Sequence, residues 1–162
     1  MRMWGAWIAG SVVVFDQLVK WLVQGRLAPG ESAVVIPGLL HLTRVHNTGA
    51  AFGFLNDIDF AFKGVVLAIA STAALVGLAV YAASLRSDER LTRFGLSFVI
   101  GGAIGNLIDR VRIGYVLDFV DAFWHGWHFW AFNVADAAIT VGVALMILDL
   151  LGVGRHRVSR TL

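Results

Sequence analysis

The sequence predicts an all-α integral membrane protein of four transmembrane helices, and two observations carry that expectation. Of 162 residues, 58% are hydrophobic and only 15% are charged, with a mean hydropathy of +0.76. A soluble domain averages about 45–50% apolar and about 25% charged residues. So little charge would not keep this much apolar surface dispersed in water, which disfavours a soluble enzyme, a disordered tail or a nucleic-acid module. Second, the apolar residues fall in four runs long enough to cross a hydrocarbon core of about 30 Å, which takes about 20 residues as helix. The net charge of +2 reports orientation more than an acidic partner, as basic residues in membrane proteins usually do. The chain has two prolines and no cysteine, which excludes disulfides, thiolate metal ligands and a cysteine nucleophile.

The runs make one membrane domain over 1–162, with helices at about 4–23, 60–84, 91–110 and 130–151. Asp16, Gln17 and Lys20 interrupt the first, and no Ala-x-Ala-like site follows it, so it reads as a retained span and not a cleaved signal peptide. The second carries Lys63 near its start as its only charge, the third is rich in glycine, and the fourth holds Asp136 inside and Asp149 near its end. Arg2, the cluster Arg86, Arg90 and Arg93, and the cluster Arg155, Arg157 and Arg160 fall on one side of an even number of spans. Short flanks rich in Lys and Arg face the cytoplasm, so both termini are expected inside and the segments 25–59 and 112–129 outside.

In the first outer segment, the turns Pro29-Gly30 and Pro37-Gly38 bound short apolar runs, 33–36 and 39–42, that read as strands. A small β element on the membrane surface is the expectation. In the second, Val116, Phe119, Val120, Phe123, Trp124 and Trp127 recur at spacings of three and four, the pattern of an amphipathic helix lying in the interface. Asp121, His125 and His128 share its other face and offer a metal-site alternative, although no His-Glu-x-x-His pattern is present. His41 and His46 read as surface residues.

Ionisable groups inside spans are costly, about 2.5–3.5 kcal/mol each on insertion scales, and so are candidates for function. Asp16 and Lys20 are four apart on one helix face and can neutralise one another. Asn106, Asp109 and Arg110 fall at i, i+3 and i+4 and can point to one side; Arg110 can equally snorkel to the interface. Gly101 and Gly105 form a Gly-x-x-x-Gly surface suited to close helix packing. Asn133 and Asp136 share a face at the start of the fourth span, where Asn133 can also serve as an N-cap. Asp136 has no cation in its own helix, and Asp118, just beyond the third span, can approach it near the outer interface. Two adjacent carboxylates cannot both ionise, so one keeps a proton while the other acts as a base. Such a pair can activate water against a peptide carbonyl.

These residues, taken in order, resemble the lipoprotein signal peptidases (signal peptidase II), bacterial inner-membrane aspartic peptidases. The resemblance rests on Asp16-Gln17-Leu18-Val19-Lys20, Asn47-Thr48-Gly49-Ala50-Ala51-Phe52-Gly53, the stretch Gly101 to Arg110, Gly114-Tyr115-Val116-Leu117-Asp118-Phe119, and Phe132-Asn133-Val134-Ala135-Asp136. It implies Asp118 and Asp136 as the catalytic pair. Asn47, Gly102, Asn106, Arg110 and Asn133 would line the site, and Asp16, Lys20 and Asp109 would support it. It further implies a four-helix bundle with an extracytoplasmic β-cradle and a short outer helix, no cofactor or metal, and diacylglyceryl-modified prolipoproteins as substrates, cut before the modified cysteine. Membrane lipids are the other expected partners, nucleic acid is not, and a monomer is expected. Trp130 stands where the family commonly has proline, and Ala137 where a small polar residue often follows the second aspartate. A rival reading is a small transporter or proton-relay subunit using Asp16, Lys20, Asp109 and Asp136.

Overall fold

The computed structural model describes residues 3–50, 55, 58, 60–86 and 88–152. Four helices, α1 (Met3–Gln24), α2 (Lys63–Ser84), α3 (Arg90–Ile113) and α4 (Val134–Leu150), alternate with strands β1 (Ser32–Ile36), β2 (Leu40–Asn47), β3 (Val116–Trp124) and β4 (Trp127–His128). Among the described residues α1, α2 and α3 are long and apolar enough to cross a bilayer. Helix α4 has 17 residues, at the lower limit of about 17–25 for a span. Of the basic clusters in the sequence, Arg86, Arg90 and Arg93 are described. Arg2, Arg155, Arg157 and Arg160 lie outside the described residues, as do Ala51, Phe52 and Gly53.

Helix α3 is central and packs against α1, α2 and α4. Its glycines explain how. A Cβ on Gly95 would lie 2.5 Å from the Gly142 carbonyl oxygen, and one on Gly102 would strike the Ala135 carbonyl oxygen. Gly95 and Gly102 are two turns apart on α3, as Ala135 and Gly142 are on α4, so the two helices run antiparallel with backbones nearly touching. Gly101 and Gly105 face α1 instead, against Ala9 and Asp16. Between helices already surrounded by lipid, association rests on such close packing. By contrast, α2 leaves Val65, Val66, Ile69, Val76 and Val80 exposed, a surface for hydrocarbon. Asp149, in the last turn of α4, is buried because it accepts from the Thr92 backbone N–H (3.3 Å) and hydroxyl, capping the first turn of α3.

The strands form one antiparallel sheet in the order β1-β2-β3-β4. Arg44 of β2 ties it to the end of α1, donating to the carbonyls of Leu27 (3.0 Å) and Gln24 (3.4 Å), a favourable place for a cation. Leu117 and Phe119 of β3 pack with Val23 of α1 in a core of their own. His41 and His46 are half-buried, not surface residues, because each lies against a ring, Phe123 at 4.4 Å and Tyr115 at 3.9 Å. Burial, assisted by the Arg44 charge, lowers the proton affinity of His46.

The expected interfacial amphipathic helix within 112–129 is absent: 116–124 is a strand. Helix α3 also runs past 110, to Ile113, and stops at Gly114, whose φ of 82° is a left-handed cap. The reason is visible in Val116-Leu117-Asp118-Phe119. All four side chains are buried, so both strand faces are covered and polarity does not alternate. Spacings of three and four then arise by coincidence in a segment whose β-branched and aromatic residues favour extended pairing. Helices α2 and α4 likewise start at Lys63 and Val134, three and four residues later than expected.

The α3–α4 contact makes a prediction. Gly102→Ala should destabilise the protein by about 1–3 kcal/mol, since the added methyl meets backbone that cannot turn aside. Gly77→Ala, at a position with open space around it, should be neutral or stabilise by up to about 1 kcal/mol. Thermal unfolding of the detergent-solubilised variants distinguishes the two.

Candidate active site

The site is built where the buried polar faces of α1 and α3 meet. Asp16, Lys20, Asn106 and Asp109 are all less than 10% exposed, so each must find its partners inside. Lys20 Nζ lies 2.8 Å from Asp16 Oδ2, 2.8 Å from Asp109 Oδ2 and 3.1 Å from Asn106 Oδ1. An ammonium has three protons to donate, and all three are used. Gln17 Nε2 donates to Asp109 Oδ1 (2.9 Å), Asp16 Oδ2 (3.2 Å) and the Gly105 carbonyl (3.2 Å). Gln17 stood in the sequence without a role of its own; a long amide beside two buried carboxylates was the signal.

Both carboxylates of this cluster also reach backbone. Asp109 Oδ2 accepts from Leu117 N–H at 3.1 Å, and Asp16 Oδ1 accepts from Ala135 N–H at 2.9 Å. The residue after Leu117 is Asp118 and the residue after Ala135 is Asp136. One buried ion cluster therefore positions the backbone beside each candidate carboxylate, one at the start of β3 and one in the first turn of α4.

Four amide or backbone donors then hold the two carboxyl groups. Asp118 Oδ2 accepts from Asn47 Nδ2 (2.9 Å) and its Oδ1 from Asn133 Nδ2 (2.7 Å). Asp136 Oδ1 accepts from Asn106 Nδ2 (2.8 Å) and its Oδ2 from the Asn133 backbone N–H (3.2 Å). Asn133 thus touches both. It is also the N-cap of α4, accepting from Asp136 N–H at 3.0 Å in a reciprocal capping box. Cap and site residue, alternatives in the sequence, coincide here. Asn133 further donates to Asn106 Oδ1 at 3.1 Å, so Lys20, Asn106 and Asn133 form a continuous chain from the ion cluster to both aspartates.

Arg110 donates to the Gly49 carbonyl at 3.1 Å and the Asn106 carbonyl at 3.4 Å, and interacts electrostatically with Asp136, Asp118 and Asp109. It borders a groove of about 640 Å³ between α2 and α3, walled mainly by Phe62, Val65, Ala68, Ile69 and Thr72. Gly102 lies beneath Ala135, where α3 meets the α4 backbone. Asp121 and His128 meet across the β3–β4 hairpin at 2.9 Å, while His125 sits in the turn beside Trp124. The helical face that grouped these three does not form.

Asp118 is 2% exposed, and burial together with the neighbouring Asp136 charge pushes its carboxyl up to about 7, against the opposing pull of the Asn47 and Asn133 hydrogen bonds and of Lys20. It can therefore hold a proton close to neutrality, as one member of an acid–base pair must.

Comparison with known proteins agrees with this arrangement. The family model for Signal peptidase (SPase) II matches residues 8–152. The chain belongs to the signal peptidase II family. It is thus an aspartic peptidase embedded in a membrane. It is 45% identical to a lipoprotein signal peptidase of Geobacter metallireducens, over 86% of this chain and 85% of that one. The figure is 42% for the counterpart in Geobacter sulfurreducens, over 96% of each chain. For that of Pseudomonas aeruginosa strain UCBPP-PA14 it is 41%, over 89% and 85%. A bacterial membrane enzyme solved by the in meso method at 2.3 Å resolution superposes with a TM-score of 0.82 at 32% identity, covering 100% of this chain and 96% of that one.

Lys20→Met should leave Asp16 and Asp109 without their shared cation, at a cost of about 3–5 kcal/mol, the usual penalty for stripping one partner from a buried ion pair. The expected outcome is a large fall in melting temperature or loss of folded protein from detergent extracts, as read by size-exclusion chromatography.

Proposed function

We propose that Asp118 and Asp136 are the catalytic pair of an endopeptidase that removes the signal peptide from diacylglyceryl-modified prolipoproteins, cleaving before the lipid-modified cysteine. The observation that carries this reading is Asn133, which hydrogen-bonds both carboxyl groups and so joins β3 and α4 into one reaction centre. With one proton on the pair, the ionised carboxylate takes a proton from water as its oxygen attacks the scissile carbonyl carbon. The protonated partner gives its proton to the carbonyl oxygen. Collapse of the resulting gem-diol breaks the C–N bond: the departing cysteine nitrogen takes the proton held by one carboxyl while a gem-diol hydroxyl returns its proton to the other, which leaves the pair with one proton again. Asn47, Asn106 and Asn133 hold the carboxyl planes, while Arg110, at the polar end of the α2–α3 groove, orients the substrate's main chain. The apolar walls of that groove suit an acyl chain or a signal helix arriving sideways through the bilayer.

In this reading the 1–162 chain is a single domain of four spans, α4 being the fourth, in the bacterial inner membrane. Both termini are cytoplasmic. The sheet is the extracytoplasmic cradle, and the site lies near the outer interface. Arg86, just after α2, and Arg90 and Arg93, in the first turn of α3, support that orientation.

Asp118→Asn and Asp136→Asn should each lower cleavage of a diacylglyceryl-modified precursor by at least about a hundredfold, the ordinary worth of positioned acid–base groups, while the proteins still insert. Unaltered cleavage in either variant would sink the assignment. The pH profile supplies a second check. Because Asp118 keeps its proton up to about 7, the pair loses its last proton above that point, and activity should fall on an alkaline limb centred there. Asn47 stabilises the ionised form, so Asn47→Ala should move the limb to higher pH.

A further inference from the structure

The turn Asn47-Thr48-Gly49-Ala50 is gripped from two helices. Arg110 of α3 donates to the Gly49 carbonyl at 3.1 Å. From the other side Lys63, the first residue of α2 and 8% exposed, donates from Nζ to Thr48 Oγ1 at 3.3 Å. Within the turn, Asn47 Oδ1 accepts from Gly49 N–H at 3.0 Å, which leaves Asn47 Nδ2 aimed at Asp118 Oδ2, 2.9 Å away. Phe62 and Gly64, which flank Lys63, line one wall of the α2–α3 groove, and Arg110 lines the other. The turn therefore straps the two walls together at the Arg110 end of the groove.

Resting on the reading of Asp118 and Asp136 as the catalytic pair, we propose that Lys63 is a positioning residue. Through the Thr48 hydroxyl it fixes the turn that aims Asn47 at Asp118. A hydrogen bond weakens steeply with misdirection, and the Lys63 contact adds a hold on the turn beyond the β2–β3 pairing at Asn47 and the Arg110 contact at Gly49. A buried ammonium at the head of an otherwise uncharged span is expensive to keep, and a hold on the site-bearing turn gives it a function that solubility or topology would not. Helix α2 then acts on the reaction at one remove. The groups that face Asp118 are Asn47 from β2, Asn133 and Asp136 from the start of α4, Lys20 from α1 and Arg110 from α3. Of these, Asn47 belongs to the strap and Arg110 holds its Gly49 carbonyl, whereas the others are held independently of it.

The experiment compares Lys63→Met, Lys63→Arg and Thr48→Val with the unaltered protein in proteoliposomes, using a diacylglyceryl-modified precursor. Lys63→Met and Thr48→Val should each lower kcat by about tenfold, with KM within about twofold, because the loss falls on the reaction step and not on binding. Both should shift the alkaline limb upward, in the direction of Asn47→Ala. Lys63→Arg should retain most activity, and combining Lys63→Met with Thr48→Val should add little, as for two members of one linkage. An unchanged kcat and pH profile in Thr48→Val overturns the proposal, and so does a Lys63→Met defect that Thr48→Val does not share. If Lys63→Met fails to insert, Thr48→Val decides alone. Asp118→Asn is measured alongside. Activity there defeats the catalytic assignment itself, whereas an inactive Asp118→Asn beside a normal Thr48→Val defeats only the role of Lys63.

Discussion

One ammonium, Lys20 between Asp16 and Asp109, is the interaction on which the rest of the structure depends. In an apolar interior an unpaired charge is strongly disfavoured, and a pair is tolerated only when its remaining donors and acceptors are also met. Here that requirement produces architecture. The spare oxygen of Asp16 holds Ala135 N–H, while Asp109 also takes Leu117 N–H. A cluster that must be complete to exist thus fixes α1, α3, the first turn of α4 and the start of β3 at one point. The two aspartates next in sequence to those amides are carried into place with them.

Packing sets the second constraint. Between helices in lipid there is no water to expel, so contact must be close to be worth having. Gly95 and Gly102 on α3 meet Gly142 and Ala135 on α4 with no room for a methyl group. The result is a rigid antiparallel seam directly below Asp136. Helix α2 shows the opposite character: it packs on α3 and turns its valines and Ile69 outward. The groove lies along this looser contact.

Much of this was legible in the sequence, for a physical reason. Inside a bilayer each polar residue stands out, so Asp16, Lys20, Asn106, Asp109, Asn133 and Asp136 could be picked from the apolar runs one by one. The structure brings all six together with Asp118 and Asn47. What misled was the segment from Val116 to Trp124, whose strand is covered on both faces near its start and so shows no alternation. Its apolar positions imitate a helical stripe, and pairing with β2, far earlier in the chain, fixes its conformation. The reach of Gln17 and Lys63 was hidden for a similar cause. Spacing within a helix shows which face a side chain shares, not which distant turn or carbonyl it will meet.

Asn133 gives the site one more property. Helices fray from their ends, and the opening of a first turn is ordinarily a harmless fluctuation. In α4 the residue that closes that turn is the same one that donates to Asp118 and Asp136. Any opening of the helix end withdraws the Asn133 donors from both carboxyl groups at once, leaving Asp118 on Asn47 and Asp136 on Asn106. The fold of that first turn and the grip on both carboxyl groups thus share one residue, whose side chain caps the helix and holds Asp118 while its backbone N–H holds Asp136.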